Sequence, residues 1–263
     1  MNAAVLTWTP DTMLLVGGAF LLAGLVKGTL GLGLPVVVIA ILATVIGLQS
    51  AIALILLPSV VMNLWQAVVG GGLTALLRRL WPMLGLAVLG SWFGVQILSQ
   101  SDPKLLMTVL AIVLIVYSIW SLMRPQIKPP GRWEIVLTPV IGFISGLIFG
   151  MVGNFMVPGV LYLQALGLGR ERLVQALGIS FVTISVAMLV FMSRFKMVDH
   201  QVLSISAMAM IPGLAGMFIG QRLRRYLNEA QFRVLFFVGL LVAGGYMLVR
   251  AHLDLVGGLI GYA

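Results

Sequence analysis

The chain has 263 residues, of which 61% are hydrophobic and only 9% are charged, with a mean hydropathy of +1.14. A soluble globular chain carries about 25% charged residues, so this composition excludes a soluble domain and predicts an all-α polytopic membrane protein. The net charge of +9 does not indicate nucleic-acid binding, because the basic residues lie at the edges of apolar segments, as in cytoplasmic loops. Cysteine is absent, which excludes disulfides, thiolate metal sites and cysteine nucleophiles.

Apolar stretches recur along the chain and predict ten helical segments. Their approximate bounds are 12–27, 34–47, 50–70, 81–99, 104–123, 134–151, 156–168, 173–192, 201–221 and 230–250. A full crossing needs about 20 residues, and the first, second, sixth and seventh segments are shorter than the others. We expect each of these two pairs to be a re-entrant hairpin or two short tilted helices. Hairpins would leave six full spans, whereas a hydropathy count would give about eight.

Two glycine-rich stretches join the members of these pairs. The first runs from Gly24 to Pro35 as GLVKGTLGLGLP, and the second runs from Gly146 to Pro158 as GLIFGMVGNFMVP. Glycine and proline weaken a helix, and in a bilayer any backbone group they free must be satisfied by protein or water. Broken helices in corresponding positions of two halves point to a transport site.

The chain divides into two halves at a basic, proline-rich connector. We predict a first membrane repeat over 1–123, a linker over 124–133 and a second membrane repeat over 134–263. The matched glycines are Gly24, Gly28 and Gly31 with Gly146, Gly150 and Gly153 at an offset of 122, and Gly90 and Gly94 with Gly216 and Gly220 at an offset of 126. Because each half has five segments, an odd number, the two repeats are predicted to be inverted relative to the membrane.

The basic residues also predict an orientation. With the N-terminus outside, ten basic residues fall in inside connectors, namely Arg78, Arg79, Arg124, Lys128, Arg132, Arg170, Arg172, Arg222, Arg224 and Arg225. Four fall outside, namely Lys104, Arg194, Lys196 and Arg250. The bias favours both termini outside and a multi-pass protein of the inner (cytoplasmic) membrane.

The glycine-rich stretch, its later copy and the length of the chain resemble the sulfite exporter TauE/SafE family of membrane transporters. The similarity covers essentially the whole chain. It implies transport of sulfur-containing anions such as sulfite and organosulfonates, or of other small organic anions. Two departures from the family pattern concern substrate choice. Lys27 stands where an apolar or small residue is expected, and Gly153 is followed by Asn154 and Phe155 where the family runs more glycines together.

The residues themselves also favour an anion as substrate. A helix that restarts inside the bilayer exposes unpaired N–H groups and a partial positive charge, and glycine lets an anion approach that backbone closely. Two inverted copies could aim two such helix starts at one point near the midplane. We therefore predict that the glycines of the two stretches bind substrate, namely Gly28, Gly31, Gly33, Gly150 and Gly153.

Five polar residues complete the predicted substrate site. Lys27 is the only basic side chain well inside an apolar segment, although a long lysine stem near an interface can also reach water. Asn154 lines the site or caps the restarted helix. Ser59, Asn63 and Ser180 lie on the third segment of each half, where polar groups bind substrate or hold helices together.

Other classes of function find less support in the sequence. The acidic residues lie in connectors or at segment edges, which leaves a buried-carboxylate proton relay unsupported and argues against a multi-carboxylate cation site. His200 and His252 are far apart, so no metal site or cofactor is expected, and no catalytic set indicates an enzyme. The partners we expect are a small anion and the lipid bilayer, with no nucleic acid; a homo-oligomer stays open. An anion channel and a non-transporting subunit of a larger complex stay as alternatives.

Overall fold

A computed structural model describes residues 9–69, 71–123, 129–224, 226 and 228–260. All secondary structure in this part of the chain is helical. The α-helices are α1 (Pro10–Leu30), α2 (Leu34–Ile46), α3 (Leu48–Val68), α4 (Leu73–Gln100), α5 (Pro103–Met123), α6 (Glu134–Val152), α7 (Leu161–Ala165), α8 (Arg170–Arg194), α9 (His200–Leu223) and α10 (Glu229–Ile260). A 3₁₀ turn, Gly131–Trp133, precedes α6, and a π-helix, Met156–Val160, leads into α7.

Within the described residues, eight of these helices are long and apolar enough to cross a membrane. The two short elements are α2, with 13 residues, and the stretch Met156–Ala165. At about 1.5 Å per residue, α2 is roughly 20 Å long, too short for a crossing of about 30 Å. The chain is therefore a multi-pass membrane protein with one short helical element in each half.

The prediction that the first segment is short is wrong, whereas the sixth, α6, keeps its predicted bounds to within one residue and is long enough to cross a membrane. Helix α1 begins at Pro10, where the Thr9 side chain accepts a hydrogen bond from the Thr12 N–H, and it continues past Lys27 to Leu30. Lysine is a good helix former, so a charge inside an apolar run did not end the helix as the segment boundary assumed. Each broken pair thus joins one long helix to one short one.

The helices pack mainly in pairs that join the two halves of the chain. Helix α1 packs on α9, α4 packs on α6, α3 packs on α8, and α5 packs on α10. Exchanging the two halves, so that α1 becomes α6 and α4 becomes α9, converts the first pair into the second. The other two pairs map onto themselves. Residues 124–128 of the predicted linker lie outside the described part, and the inverted orientation of the halves in the membrane stays a prediction.

Glycines allow the backbones of α1 and α9, and of α4 and α6, to touch. A Cβ atom added at each of four glycines would fall 2.0–2.1 Å from a backbone carbonyl oxygen of the partner helix. The pairs, glycine first, are Gly24 with Gly213, Gly216 with Leu21, Gly146 with Ala87, and Gly90 with Phe143. Gly24 and Gly213 correspond, at the offsets of 122 and 126, to Gly146 and Ala87, so the first contact is equivalent to the third. In the same way, the second contact is equivalent to the fourth. The matched glycines are therefore matched in space as well.

Polar contacts gather several connectors at one end of the bundle. The Arg79 guanidinium binds the Glu134 carboxylate through two hydrogen bonds of 2.6 and 2.8 Å and reaches the Leu166 carbonyl oxygen at 3.5 Å. The Gln175 side chain accepts from the Gly72 N–H and donates to the Ala67 carbonyl. The connectors before α4, α6 and α8 therefore lie on one side, as the charge bias predicts for three of the four inside connectors.

Candidate functional site

Both predicted helix breaks are present, and they begin in the same way. Gly31 ends α1 in the left-handed conformation, with φ of 81°, and its N–H donates to the Lys27 carbonyl at 2.8 Å. Gly153 ends α6 with φ of 70°, and its N–H donates to the Phe149 carbonyl at 2.7 Å. Because these two glycines are matched at the offset of 122, the two long helices end at equivalent positions.

Beyond these glycines the two breaks differ. In the first, Gly33 precedes α2 with φ of 105°, a backbone conformation that suits glycine. In the second, the Asn154 Oδ1 atom accepts the Met156 N–H at 2.8 Å, as a capping side chain does. Asn154 is 1% exposed, and its Nδ2 atom has no partner among the described residues. Asn154 thus caps the local turn and keeps one buried donor unused.

Lys27 lies at the centre of a buried polar cluster between α1 and α3. It is 4% exposed, and its Nζ atom donates to Asn63 Oδ1 at 2.7 Å and to Gln66 Oε1 at 3.3 Å. Asn63 is 1% exposed, whereas Gln66 is half-buried and connects the cluster to the protein surface. The ammonium is therefore enclosed by the protein.

The cluster continues along α3 to α8. The Asn63 Nδ2 atom donates to the Ser59 carbonyl at 2.7 Å and to Ser59 Oγ at 3.2 Å. The Ser185 hydroxyl, from α8, donates to Ser59 Oγ at 3.1 Å. A continuous hydrogen-bonded chain therefore runs from Lys27 through Asn63 and Ser59 to Ser185, across three helices. We call these four residues and Gln66 the polar chain.

The charge of Lys27 is not balanced by an acidic side chain. In the described part of the chain its polar partners are two neutral amides, and the one salt bridge found there joins Arg79 and Glu134. An ammonium has three N–H donors, of which Asn63 and Gln66 take two. An isolated buried charge is expensive, so this geometry favours an anion as the remaining partner of Lys27.

The structure places the predicted glycines unequally. Gly28 and Gly150 lie in helix contacts, where an added Cβ would fall 2.2 Å from the Met217 carbonyl oxygen and 2.5 Å from that of Ser91. Gly33 packs near Phe236, and Gly153 packs against Ile39 and Ile52. At Gly31 an added Cβ would meet nothing within 4 Å. In this conformation Gly31 alone among the five predicted glycines has open space beside it.

The second break packs on α2 at Ile39 and on α3 at Ile52, whereas Lys27, near the first break, bonds to Asn63 on α3. That the two helix starts aim at one point stays a prediction. Ser180 is buried with an unpartnered hydroxyl but lies on the opposite face of α8 from Ser185, by helical spacing.

Two members of the polar chain, Gln66 and Ser185, are not among the predicted site residues. Gln66 follows Asn63 by three residues, so the two amides share a face of α3. Ser185 follows Ser59 by 126 residues, the same offset that relates Gly90 to Gly216. Equivalent residues that touch each other lie on the axis relating two repeats, so the repeat itself contained a signal for this serine pair.

An open groove elsewhere on the surface is a separate feature. It has a volume of about 480 Å³ and is lined by Asp11, Leu14, Leu15, Gly18, Ala19, Leu22 and Ile41. Its lining is largely apolar and includes none of the predicted site residues, so we do not assign the substrate site to it.

Paired long apolar helices and two broken elements together define a multi-pass helical membrane protein. A family model described as sulfite exporter TauE/SafE matches residues 16–247. The chain belongs to this family, as its glycine-rich stretches predict. No curated protein and no solved structure matches the chain.

Proposed function

We propose that this protein is a secondary transporter that moves small anions, such as sulfite or organosulfonates, across the cytoplasmic membrane by alternating access. The observation that carries the proposal is the Lys27 ammonium, which is buried and held by the neutral side chains of Asn63 and Gln66. Family membership supports a transporter, and the lysine supports an anion as its cargo.

The polar chain also suits a substrate with a single negative charge. Lys27 supplies one positive charge, and no second cationic side chain joins it in the contacts of the described residues. A monoanion bound there neutralises the site, whereas a dianion leaves one negative charge buried, at a cost of several kcal/mol. Monovalent sulfonates and hydrogen sulfite are therefore better cargo than sulfate.

The test uses purified protein in liposomes, with radiolabelled methanesulfonate as the probe. We expect Lys27→Met to reduce the initial rate by about tenfold or more, because a buried charge pair is worth well over 1.4 kcal/mol. Lys104→Met is the matched control, since Lys104 is an exposed lysine at the start of α5. Equal rates in wild type and Lys27→Met would remove Lys27 from the site.

Competition then examines the charge of the cargo. Unlabelled methanesulfonate should inhibit uptake strongly, sulfate weakly, and neutral dimethyl sulfone not at all. If sulfate competes as well as methanesulfonate, the single-charge argument fails while anion transport stands. If no anion is taken up above protein-free liposomes, the proposed function fails. Ion currents far above carrier turnover would instead identify the channel alternative.

A further inference from the structure

The helices form two units, and each unit takes helices from both halves of the sequence. Helices α1, α2, α3 and α9 contact one another in a first unit, in which α1 packs on α9 and α2, and α3 packs on α2 and α9. Helices α4, α6, α7 and α8 form the second, in which α4 packs on α6 and α8. Exchanging the two halves of the chain converts the first unit into the second. Helices α5 and α10 pack together as a flanking pair.

Side-chain hydrogen bonds tie each unit together internally. In the first unit, Lys27 on α1 bonds to α3, and the Ser206 hydroxyl on α9 donates to the Leu54 carbonyl on α3 at 2.7 Å. That carbonyl lacks its usual helix partner, because Pro58 has no N–H to donate to it. In the second unit, Thr138 on α6 bonds the Tyr162 hydroxyl on α7 at 2.6 Å.

The main contact between the two units is the crossing of α3 and α8. The described hydrogen bonds that cross between the bodies of these helices are Ser185 to Ser59 and Gln175 to the Ala67 carbonyl. Helices α1 and α9 make no extensive contact with α4 or α6 among the described residues. A motion that keeps the α1–α9 and α4–α6 contacts intact must therefore change the α3–α8 crossing, including the contact of Gly178 with the α3 backbone at Ala67.

We propose that the substrate anion passes between these two mixed units, along the α3–α8 crossing, and that the Ser59–Ser185 pair closes this path at its centre. The proposal rests on the proposed function and adds a path and a positioning residue, Ser185, to it. An anion held at Lys27 is already connected to the crossing through Asn63 and Ser59. When the serine pair separates, the Ser185 hydroxyl becomes a free donor for an oxygen of the anion, next to the Ser59 hydroxyl, whose own O–H does not take part in the pair.

The location of the pair supports this assignment. Ser59 is 1% exposed and Ser185 is fully buried, so neither hydroxyl reaches lipid or water in this conformation. Halves that moved as sequence blocks, α1–α5 against α6–α10, would have to separate α1 from α9 and α4 from α6. Those backbones touch at Gly24, Gly216, Gly146 and Gly90, whereas the α3–α8 backbones touch at Gly178, so the block motion disrupts more of these close contacts and is the costlier one.

A disulfide across the crossing tests the proposal. The chain has no cysteine, so Ser59→Cys together with Ser185→Cys gives the only pair of thiols, at positions whose hydroxyl oxygens lie 3.1 Å apart. Methanesulfonate uptake is measured in liposomes before oxidation, after oxidation and after re-reduction, and mass spectrometry of peptides reports the fraction cross-linked. The controls are the two single cysteine variants treated identically.

We expect uptake by the double variant to fall on oxidation in proportion to the cross-linked fraction, and to return on reduction. Uptake by the single variants should not respond to oxidation. Unchanged uptake in fully cross-linked protein would overturn the proposed path. Uptake that is absent in wild type would instead overturn the proposed function, so the two failures are distinguishable. If the double variant is inactive when reduced, methanesulfonate protection of the single Ser185→Cys thiol from alkylation decides: protection supports the path, and no protection refutes it.

Discussion

One of the close glycine contacts among the described helices yields a prediction about both stability and the internal repeat. A Cβ atom at Gly24 would lie 2.0 Å from the Gly213 carbonyl oxygen, whereas real Cβ atoms are essentially never closer than 3.0 Å to such an atom. In Gly24→Ala the backbones of α1 and α9 must therefore separate by about 1 Å. Overpacking of this kind typically costs about 1–3 kcal/mol. Gly146→Ala should cost the same, since its added Cβ would also lie 2.0 Å from a carbonyl oxygen, that of Ala87.

Gly17→Ala is the matched control on the same helix, because a Cβ there would meet nothing within 4 Å. Alanine favours helix by up to about 1 kcal/mol over glycine, so this variant should be as stable as wild type or slightly more stable. Unfolding in detergent, followed by tryptophan fluorescence against temperature and denaturant, measures all three variants. If Gly24→Ala and Gly17→Ala unfold alike, the backbone contact is not as close as the structure shows. Different losses for Gly24→Ala and Gly146→Ala would contradict the equivalence of the two pairs.

Two further variants examine local features of the membrane helices. Ser206→Ala should cost about 1–3 kcal/mol of unfolding free energy, since it leaves the buried Leu54 carbonyl unpaired. The cost should be smaller in a Pro58→Ala background, because residue 58 then has an N–H that can bond this carbonyl. A double-mutant cycle with no coupling would refute this account. Gly31→Ala should lower the free energy of unfolding by about 1–2 kcal/mol because φ is 81° at this position, and Gly31→Asn should lower it less, since asparagine tolerates this conformation. Equal losses in the two variants would contradict a backbone cause.

The fold was predictable from sequence where a local signal decides it. Long apolar runs predict the helices. The glycines predict the helix breaks, because few residues other than glycine adopt the left-handed conformation found at Gly31 and Gly153. The length of α1 was not predictable in the same way. A buried lysine is compatible with a helix interior when the surrounding protein supplies partners, and those partners, Asn63 and Gln66, lie on a different helix.

The candidate site was predictable in its residues but not in its geometry. Sequence offsets show which residues are equivalent, but they do not show which ones touch. The close contacts of Gly28 and Gly150 join helices from opposite halves, so these glycines could not be distinguished from Gly31 by spacing alone. Lys27 and Asn63 were both chosen from sequence as polar groups inside apolar segments, and the structure brings them within 2.7 Å.

Lys27 has no lysine counterpart in the second half of the chain. The residue matched to Lys27 at the offset of 122 is Phe149, which is buried and contacts the Phe155 ring. The second half therefore holds an aromatic cluster, completed by Phe181, where the first half holds Lys27 and its amide partners. The buried lysine thus occupies one of two equivalent locations.

The most direct test of the central claim is calorimetric titration of methanesulfonate into purified wild-type protein and into Lys27→Met. The account predicts saturable binding to the wild type and affinity about tenfold or more weaker in the variant, because the ammonium is the one charge available to pair with the anion. Lys104→Met should bind as the wild type does. Equal affinities for wild type and Lys27→Met would contradict the assignment of the buried lysine to the anion site.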